Sequence, residues 1–421
     1  MRAVESMTSR AQKTIVIIGT LDTKATESSF LRDTIARLGQ ETIVVDSGTM
    51  GEPGIAPDVT REEVAEAGGA RFEVLVASSD KELVQTVMML GLSRVVTRLH
   101  REGKCDGVVA AGGAQGTALA TAAMRALPIG VPKVMVSTVA CGQTTFGPYV
   151  GTSDVVMLHS VADISGLNSI TSRLLAQAAN AVVAMASVPA AASGGRPLLA
   201  ITQAGITTPG VVAVRDKLEA LGFELVAFHC NGVGGQAMEA MILDGTISGL
   251  IDFSPHEVTD LLFGGMMPAA TGRLGAAGIA GIPHVVAPGA TDVILSGARL
   301  PKRLRARAHV NHTPTHTHIR TNAREMAAVA RYVAHSLNAG KGPRAAMVPL
   351  RGFSMLNREG GTLFDRRANA SYTATLRREL APEVHFIAVD AHINDLAFAA
   401  ATVDEFMRLW AEAGRERPRT S

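Results

Sequence analysis

Apolar residues follow two rhythms along this chain, and the alternation between them predicts its elements. KTIVIIG, residues 13–19, is a short β-branched run closed by Gly19, the pattern of a strand buried on both faces of a parallel sheet. SSFLRDTIARLG follows with Phe30, Leu31, Ile35 and Leu38 at helical spacing and a stop at Gly39. ETIVVDSG reads as the next strand, so the three segments form a βαβ unit. FEVLVAS, CDGVVAAGG and PKVMVST read as further strands, with helices expected from Asp80 to Arg101 and from Thr117 to Leu127. The small, proline-terminated stretch AAASGGRP, residues 190–197, reads as a boundary. Beyond it the opening pattern returns: LLAITQAG as strand, VVAVRDKLEALG as helix, FELVAFHCNG as strand. Gly130-Val131-Pro132-Lys133 is echoed by Gly281-Ile282-Pro283-His284, each leading into an apolar strand. A helix from Ala323 to Ser336, the strands AAMVPL and VHFIAVD, and a helix from Asp395 to Glu412 are expected to complete the second sheet.

The expected fold class is therefore α/β, with two doubly wound parallel-sheet (Rossmann-like) domains. Residues 1–12 are read as a disordered segment, 13–190 as the first domain, 198–413 as the second and 414–421 as a polar tail. The halves resemble each other either through duplication or because doubly wound domains look alike.

Composition narrows the class of partner. The 421 residues are 47% hydrophobic, with 42 Gly and 4% aromatics, which excludes a mainly disordered chain. With 40 Lys+Arg against 38 Asp+Glu, the net charge of +2 exerts no long-range pull on nucleic acid or an anionic membrane. Cys105, Cys141 and Cys230 lie too far apart in sequence for a disulfide framework and fit a reducing compartment. The most apolar stretch, Leu174 to Ala192, is interrupted by Gln177, Asn180, Ser187 and Pro189, so a buried helix is expected there rather than a membrane span. The expectation is a cytoplasmic protein without nucleic-acid or membrane partners.

Ligands of open parallel sheets bind beyond the carboxyl ends of the strands, so the candidate residues follow the strands. Gly112-Gly113-Ala114-Gln115-Gly116-Thr117 stands between a strand and a helix, where bare backbone N–H groups can meet an oxyanion. The same glycines would equally serve a tight turn packing helix on strand. Thr20, Asp22, Thr23 and Lys24 suit a polyphosphate, with Asp22 a candidate ligand for Mg²⁺. The alternative there is a helix cap beside a solvated lysine. Asp46 follows the second strand, where ribose hydroxyls are commonly read, and Asp154 adds a further polar residue; either is equally a turn residue. Gly232, Gly234 and Gly235 form a second candidate anion cradle. His256, Glu257 and Asp260 are candidates for acid–base work, as is His392 after a later strand, and each could instead be a cap or surface residue. His309, His312, His316 and His318 share one short segment; His316 and His318 fall on one face of an extended strand, as two metal ligands would.

Several segments together resemble the tomato mosaic virus resistance protein-like ATP-binding family. Its plant member inhibits viral RNA replication, and its bacterial and fungal members are largely uncharacterised. The resemblance rests on GTLDTKATESSFLRD, VDSGTMGEPGIAPDVTREEVAEAGG, GGAQGTALATAAMRALPIGVPKVMVSTVACG, YVGTSDVVMLHSVADISGLNSI, FHCNGVGGQAMEAMI and HINDLAFA. It implies nucleotide bound by the first of two α/β domains, mapping onto Gly19, Thr20, Asp22 and Thr23, onto Gly112, Gly113, Gly116 and Thr117, and onto Ser137, Gly151 and Thr152. It also implies a homodimer. Two features depart from the family. Its glycine loop reads closer to Gly-Gly-Ser-Gly-Gly-Thr, whereas Ala114 and Gln115 stand here for Ser and Gly. Pro314, Arg320 and Thr321 match, but His316 and His318 stand where apolar residues are usual.

The resulting expectation is a cytosolic ATP-binding protein, taking ATP with Mg²⁺ on the first domain's glycine loop. The alternative is an enzyme acting on a small phosphorylated or carboxylated metabolite between the domains, with Lys24, His256, Glu257 and His392 moving protons.

Overall fold

The computed structural model describes residues 12–78, 80–142, 147–189 and 195–418. Most of the N-terminal segment, the start of the expected boundary (190–194) and the end of the tail lie outside the described residues. The chain divides into two compact units, residues 1–192 and 193–421.

The first unit is a five-stranded parallel sheet of β1 (Thr14–Gly19), β2 (Glu41–Asp46), β3 (Gly107–Gly112), β4 (Lys133–Ser137) and β5 (Val156–His159), ordered β2-β1-β3-β4-β5. Its strands are continuous apolar runs because both faces are covered. Val16, Ile18, Val108 and Ala110 pack on one side against Val64, Met88, Val95 and Leu119. Ile15, Ile17 and Val109 pack on the other against Leu31, Ile35, Leu175 and Val182. The register sets Gly19 beside Asp46 and Gly112 beside Ser137, so four strands end together.

Two expectations fail here. FEVLVAS is a helix, Phe72–Ala77, not a strand. Phe72 and Leu75 are buried three residues apart while Val74 and Val76 face solvent, and this helical spacing decides between two readings that an apolar run leaves open. The helix after β3 begins at Ala114 rather than Thr117 and ends at Arg125.

The second unit has a six-stranded parallel sheet of β6 (Leu198–Gln203), β7 (Glu224–His229), β8 (Gly249–Asp252) and β9 (His284–Val286). It is completed, after an antiparallel excursion through β10 (Val293–Ser296), β11 (His309–Thr313) and β12 (His316–Arg320), by β13 (Arg344–Pro349) and β14 (His385–Val389). The order is β14-β13-β9-β8-β6-β7, with β10-β12-β11 as a separate sheet. Counted from its own first strand, the second sheet thus winds as the first does and adds one strand. The long connection between β2 and β3, residues 47–106, is answered between β7 and β8 by residues 230–248 alone. One face carries an aromatic cluster in which Phe223 meets Trp410 edge-on at 5.0 Å and Phe406 at 6.2 Å.

Lys133 and His284, the echoed positions, begin β4 and β9. Lys133 is fully buried, and its ammonium donates to Pro128 O and Val131 O (2.8 Å each) and to Asp154 Oδ1 at 2.5 Å. His284 is buried with Nε2 unpartnered, and burial pushes it down to about 4. Burial would raise the Asp154 carboxyl, but the Lys133 ammonium and the Gly130 N–H outweigh it and hold the group below the usual range. A carboxyl depressed in the folded state contributes stability above its unfolded pKa that is lost as pH falls through the folded value. Urea melts at about pH 6 and about pH 3, on either side of an aspartate's ordinary pKa near 4, should show a smaller acid-induced loss in Asp154→Asn than in the native chain.

Candidate functional site

In the first sheet the order reverses between β1 and β3, which opens a crevice at their carboxyl ends. Thr20 to Lys24 form a turn after β1: Thr23 N and Lys24 N donate to Thr20 O (3.0 and 2.7 Å), and the Thr20 and Thr23 hydroxyls lie 3.0 Å apart. Among the described residues Lys24 Nζ reaches only the carbonyl of the preceding residue, Thr23 O, at 3.4 Å. Asp22 Oδ2 accepts from Met50 N at 2.8 Å and Gly51 N at 3.4 Å, pinning the turn to the loop after β2. Asp46 is sealed from solvent; Oδ1 accepts from Leu21 N (3.0 Å) and Gly48 N (2.8 Å), and Oδ2 has no partner. Burial raises its carboxyl above the ordinary value against those two N–H groups. Asp46 therefore shapes the turn from within and presents nothing to a ribose at the surface.

β3 passes into helix Ala114–Arg125 through a single residue, Gly113, which is extended and leaves the helix start without a side-chain cap. The glycines divide by cause. A Cβ on Gly112 would come within 3.1 Å of Gly116 Cα, so this pair lets the first helical turn lie against the strand end. Gly19 likewise admits Ser28 of the next helix. Gly113 has an ordinary φ of −76°, and its Cβ would meet only Thr138 Oγ1, at 3.8 Å. Thr117 is fully buried, its hydroxyl 2.7 Å from that of Ser137; this inward pair joins β4 to the helix and faces no ligand.

Gly151 and Thr152 do not join this group. They precede β5 and so lie at the amino edge of the sheet, where a Cβ on Gly151 would touch Arg125 at the far end of the helix. Asp154 belongs to the same edge through Lys133.

The glycine cradle of the second unit is already filled. Gly232 N (2.7 Å) and Gly235 N (3.1 Å) both donate to Glu257 Oε1, and Gly234 N donates to Asn231 Oδ1 at 2.8 Å. A Cβ on Gly235 would fall on the Glu257 carboxylate. Glu257 Oε2 accepts from Arg273 Nε at 2.7 Å, while the other two guanidinium nitrogens grip Asp252 at 2.5 and 2.9 Å. Arg273, Asp252 and Glu257 are all buried, and Glu239 completes the cluster 3.6 Å from the guanidinium. Burial would lower Arg273, but Asp252 and Glu257 hold it protonated. Both Glu257 oxygens are thus taken up by the chain's own Gly232 and Gly235 amides and Arg273, and its role is structural. Nothing around Arg273 in the sequence marks it.

His392 is also structural. Its Nε2–H donates to Ser354 O (2.9 Å), Nδ1 accepts from Asn394 N (3.2 Å), and burial lowers its pKa, which leaves no nitrogen for chemistry.

His256 has a different setting. It follows β8, and with Ala204, Gly205, Ile206, His229, Cys230, Met267, Leu295, His312, Thr313, His316 and His318 it lines a cavity of about 280 Å³. The histidine segment is therefore not a free loop but a hairpin, β11–β12, closing a pocket at the carboxyl edge of the second sheet. His256 is 6% exposed; Nδ1–H donates to Ala290 O at 2.9 Å, and Nε2 faces Asp260 Oδ2 at 3.5 Å. Burial depresses its imidazole, yet Asp260 and the Ala290 carbonyl more than compensate and raise it. Ala290 takes a left-handed φ of 57°, a strained conformation for a residue with a Cβ. His318 Nδ1 is buried and unpartnered, and burial lowers that ring to about 4. His316 Nδ1 is held by the Thr313 and Thr315 hydroxyls. Among the described residues no three His, Cys, Asp or Glu side chains are grouped as a protein-built metal site requires, so Asp22, His316 and His318 fall in no such group. No helix among them is long and apolar enough to cross a membrane.

Two profiles of an uncharacterised family, UPF0261, match the chain: its N-terminal domain over residues 13–191 and its C-terminal domain over residues 196–410. A UPF0261 protein of Clostridium tetani is 38% identical over 401 residues, covering 94% of this chain and 99% of the relative. The ToMV susceptible protein tm-1(GCR26) of Solanum lycopersicum is 33% identical over 345 residues, 80% of this chain and 46% of that protein. Among solved structures, a putative UDP-N-acetylglucosamine 2-epimerase from Listeria monocytogenes aligns over 66% of this chain and 79% of its own, at 15% identity and a TM-score of 0.25, too distant a likeness to inform the site.

Glu257→Gln should lower stability by roughly 2 kcal/mol, because one of two acceptor oxygens becomes an NH₂ and leaves a buried donor, Arg273 Nε or the Gly232 and Gly235 amides, unsatisfied. The only tryptophan, Trp410, is buried in the second unit, so its fluorescence in a denaturant titration reads that loss directly.

Proposed function

The chain belongs to the UPF0261 family, and from that premise we propose that it binds a nucleotide, ATP with Mg²⁺, with the phosphates at the carboxyl edge of the first sheet. The observation that carries this reading is Gly113. Its backbone angles and surroundings permit a side chain, yet the position is bare at the uncapped start of a 12-residue helix, where free N–H groups and the helix dipole favour an anion. The turn after the neighbouring strand β1 carries the Thr20 and Thr23 hydroxyls and Lys24, whose ammonium has no carboxylate partner among the described residues. The turns after β1 and β3 flank the reversal of strand order, where doubly wound sheets take their ligands. The resemblance to an ATP-binding family supports the same edge. Mg²⁺ keeps most of its water and takes few protein ligands; Asp22, whose Oδ1 is free of the amides that hold Oδ2, is the carboxylate on this edge suited to it. The nucleotide is bound through backbone amides and hydroxyls, with Gln115 exposed beside them.

Gly113→Asp separates this function from a purely structural turn. Aspartate is a better N-cap than glycine by a few tenths of a kcal/mol, so the variant should unfold at the same temperature as the native chain or slightly above. The native chain should gain about 2.7 kcal/mol at a hundredfold excess of ATP·Mg²⁺ over Kd, and the variant should gain nothing. Equal ATP-induced stabilisation of both proteins in a thermal melt, or none in either, would refute the assignment.

A further inference from the structure

The second sheet ends in an open strand beside a long groove. β14 is last in the strand order and pairs only with β13. Leu350 N donates to Val389 O at 2.9 Å, so Val389 and Ile387 turn their backbone groups toward β13 and those of Phe386 and Ala388 face the open edge. The strand, HFIAV, carries none of the lysines, prolines or bulges that shield such edges. Helix Arg366–Glu379, which leads into β14, packs Ala368, Tyr372 and Leu376 over the sheet. Its adjoining stripe, Arg366, Ala370, Thr373, Ala374 and Arg377, instead lines a cavity of about 1110 Å³ to which Phe386 and Ala388 also belong. In a sheet that continued, a helix face in this position would cover the next strand; here Ala370 and Ala374 are exposed.

The charges of this groove are uneven. Arg351 is held by Asp390 through bonds of 2.8 and 2.7 Å, and Arg378 by Glu379. Glu359 is the one lining carboxylate outside these pairs. Arg366 and Arg377 have no carboxylate or hydrogen-bond partner among the described residues; Arg377 rests over the Phe386 ring, 5.9 Å from its centroid. The two lie about 16 Å apart along the helix axis, the span of roughly five extended residues. We propose that β14 is a docking edge for an extended acidic segment of a partner protein, which adds to the sheet as a further strand and sets carboxylates on Arg366 and Arg377. Between them a small apolar side chain lies against Ala370 and Ala374, because alternate side chains of an added strand point to the helix side. The unpaired backbone of β14 supplies the hydrogen bonds, and the two arginines select the partner. Charge argues against a second copy of this chain: antiparallel pairing of two β14 edges would turn one copy's Arg366 and Arg377 toward the other's.

The test uses the full chain and a fluorescein-labelled peptide, Ser-Glu-Thr-Val-Thr-Glu-Ser, whose glutamates and valine share one face of a strand, read by fluorescence anisotropy. Binding should saturate, and replacing both glutamates by glutamine should weaken it at least about tenfold as charge-assisted bonds are lost. Arg366→Glu, which puts a favourable charge in the first turn of its helix, and Arg377→Gln should each weaken binding about tenfold. Trp410, on the opposite face of the sheet, should keep its native fluorescence in both variants. Strand addition makes one more demand. N-methylation of the valine amide or of the next threonine amide should abolish binding in one peptide and spare it in the other, since alternate amides face β14. The proposal is overturned if the peptide does not saturate, if the glutamine peptide binds equally, if the arginine variants bind as the native chain does, or if the two N-methyl peptides behave alike. Every readout lies in the second unit, so the outcome is independent of whether ATP binds the first.

Discussion

Withdrawing a carboxylate from water costs several kcal/mol unless opposite charge and hydrogen bonds replace the lost hydration. The second domain buries Asp252 and Glu257 completely, and Arg273 is what makes that tolerable. Its guanidinium reaches Asp252 at the end of β8 and Glu257 on the helix after it. Thr202 of β6 donates to Asp252 at 2.8 Å, Ser254 N donates back to the Thr202 hydroxyl, and the Ser254 and Thr207 hydroxyls meet at 2.7 Å. The cluster therefore runs from one arginine through the carboxyl ends of two strands to the floor of the histidine pocket. A planar, permanently charged fork can hold two carboxylates in fixed directions where a lysine could not.

The two sheets solve the same problem differently. Each has a strand order that reverses beside its first strand and exposes amide groups there. In the first domain the amides at Gly113 have no side chain capping them. In the second, the loop at Gly232 to Gly235 is closed by the chain's own Glu257, and the neighbouring space between β6, β8 and the β11–β12 hairpin is a histidine-lined cavity.

Much of this architecture is legible from the residues. Runs such as TIVIIG and GVVAAG can bury both faces only in a covered parallel sheet, and the residues that follow β1, β2 and β3 do gather at one edge. What escapes is direction and distance. A glycine turn after a strand looks the same whether its amides face a ligand or Glu257, more than twenty residues away in the chain. Arg273 carries no local signal at all. His392 and His256 both follow strands, and each is held at its two nitrogens by one partner nearby in sequence and one remote from it. Gly151 and Thr152 could have been placed by counting strands, since a segment that precedes β5 must lie at the amino edge. FEVLVAS was ambiguous for a simpler reason: seven apolar-rich residues fit a strand and a short helix equally well.

The excursion between β9 and β13, residues 287–343, has a consequence for synthesis. Strands adjacent in the sheet are separated there by most of a small domain's worth of chain, and such distant pairings form late. Once residue 320 has emerged, every side chain that lines the histidine pocket has been made, yet β13 has not. A nascent chain paused at that point would carry β9 as an open edge, its backbone groups unpaired on the side that Arg344 to Ala346 will cover. Unprotected edges of this kind recruit other strands, so β13, which pairs with β9 on that side, is also the segment whose timely arrival closes a half-made sheet.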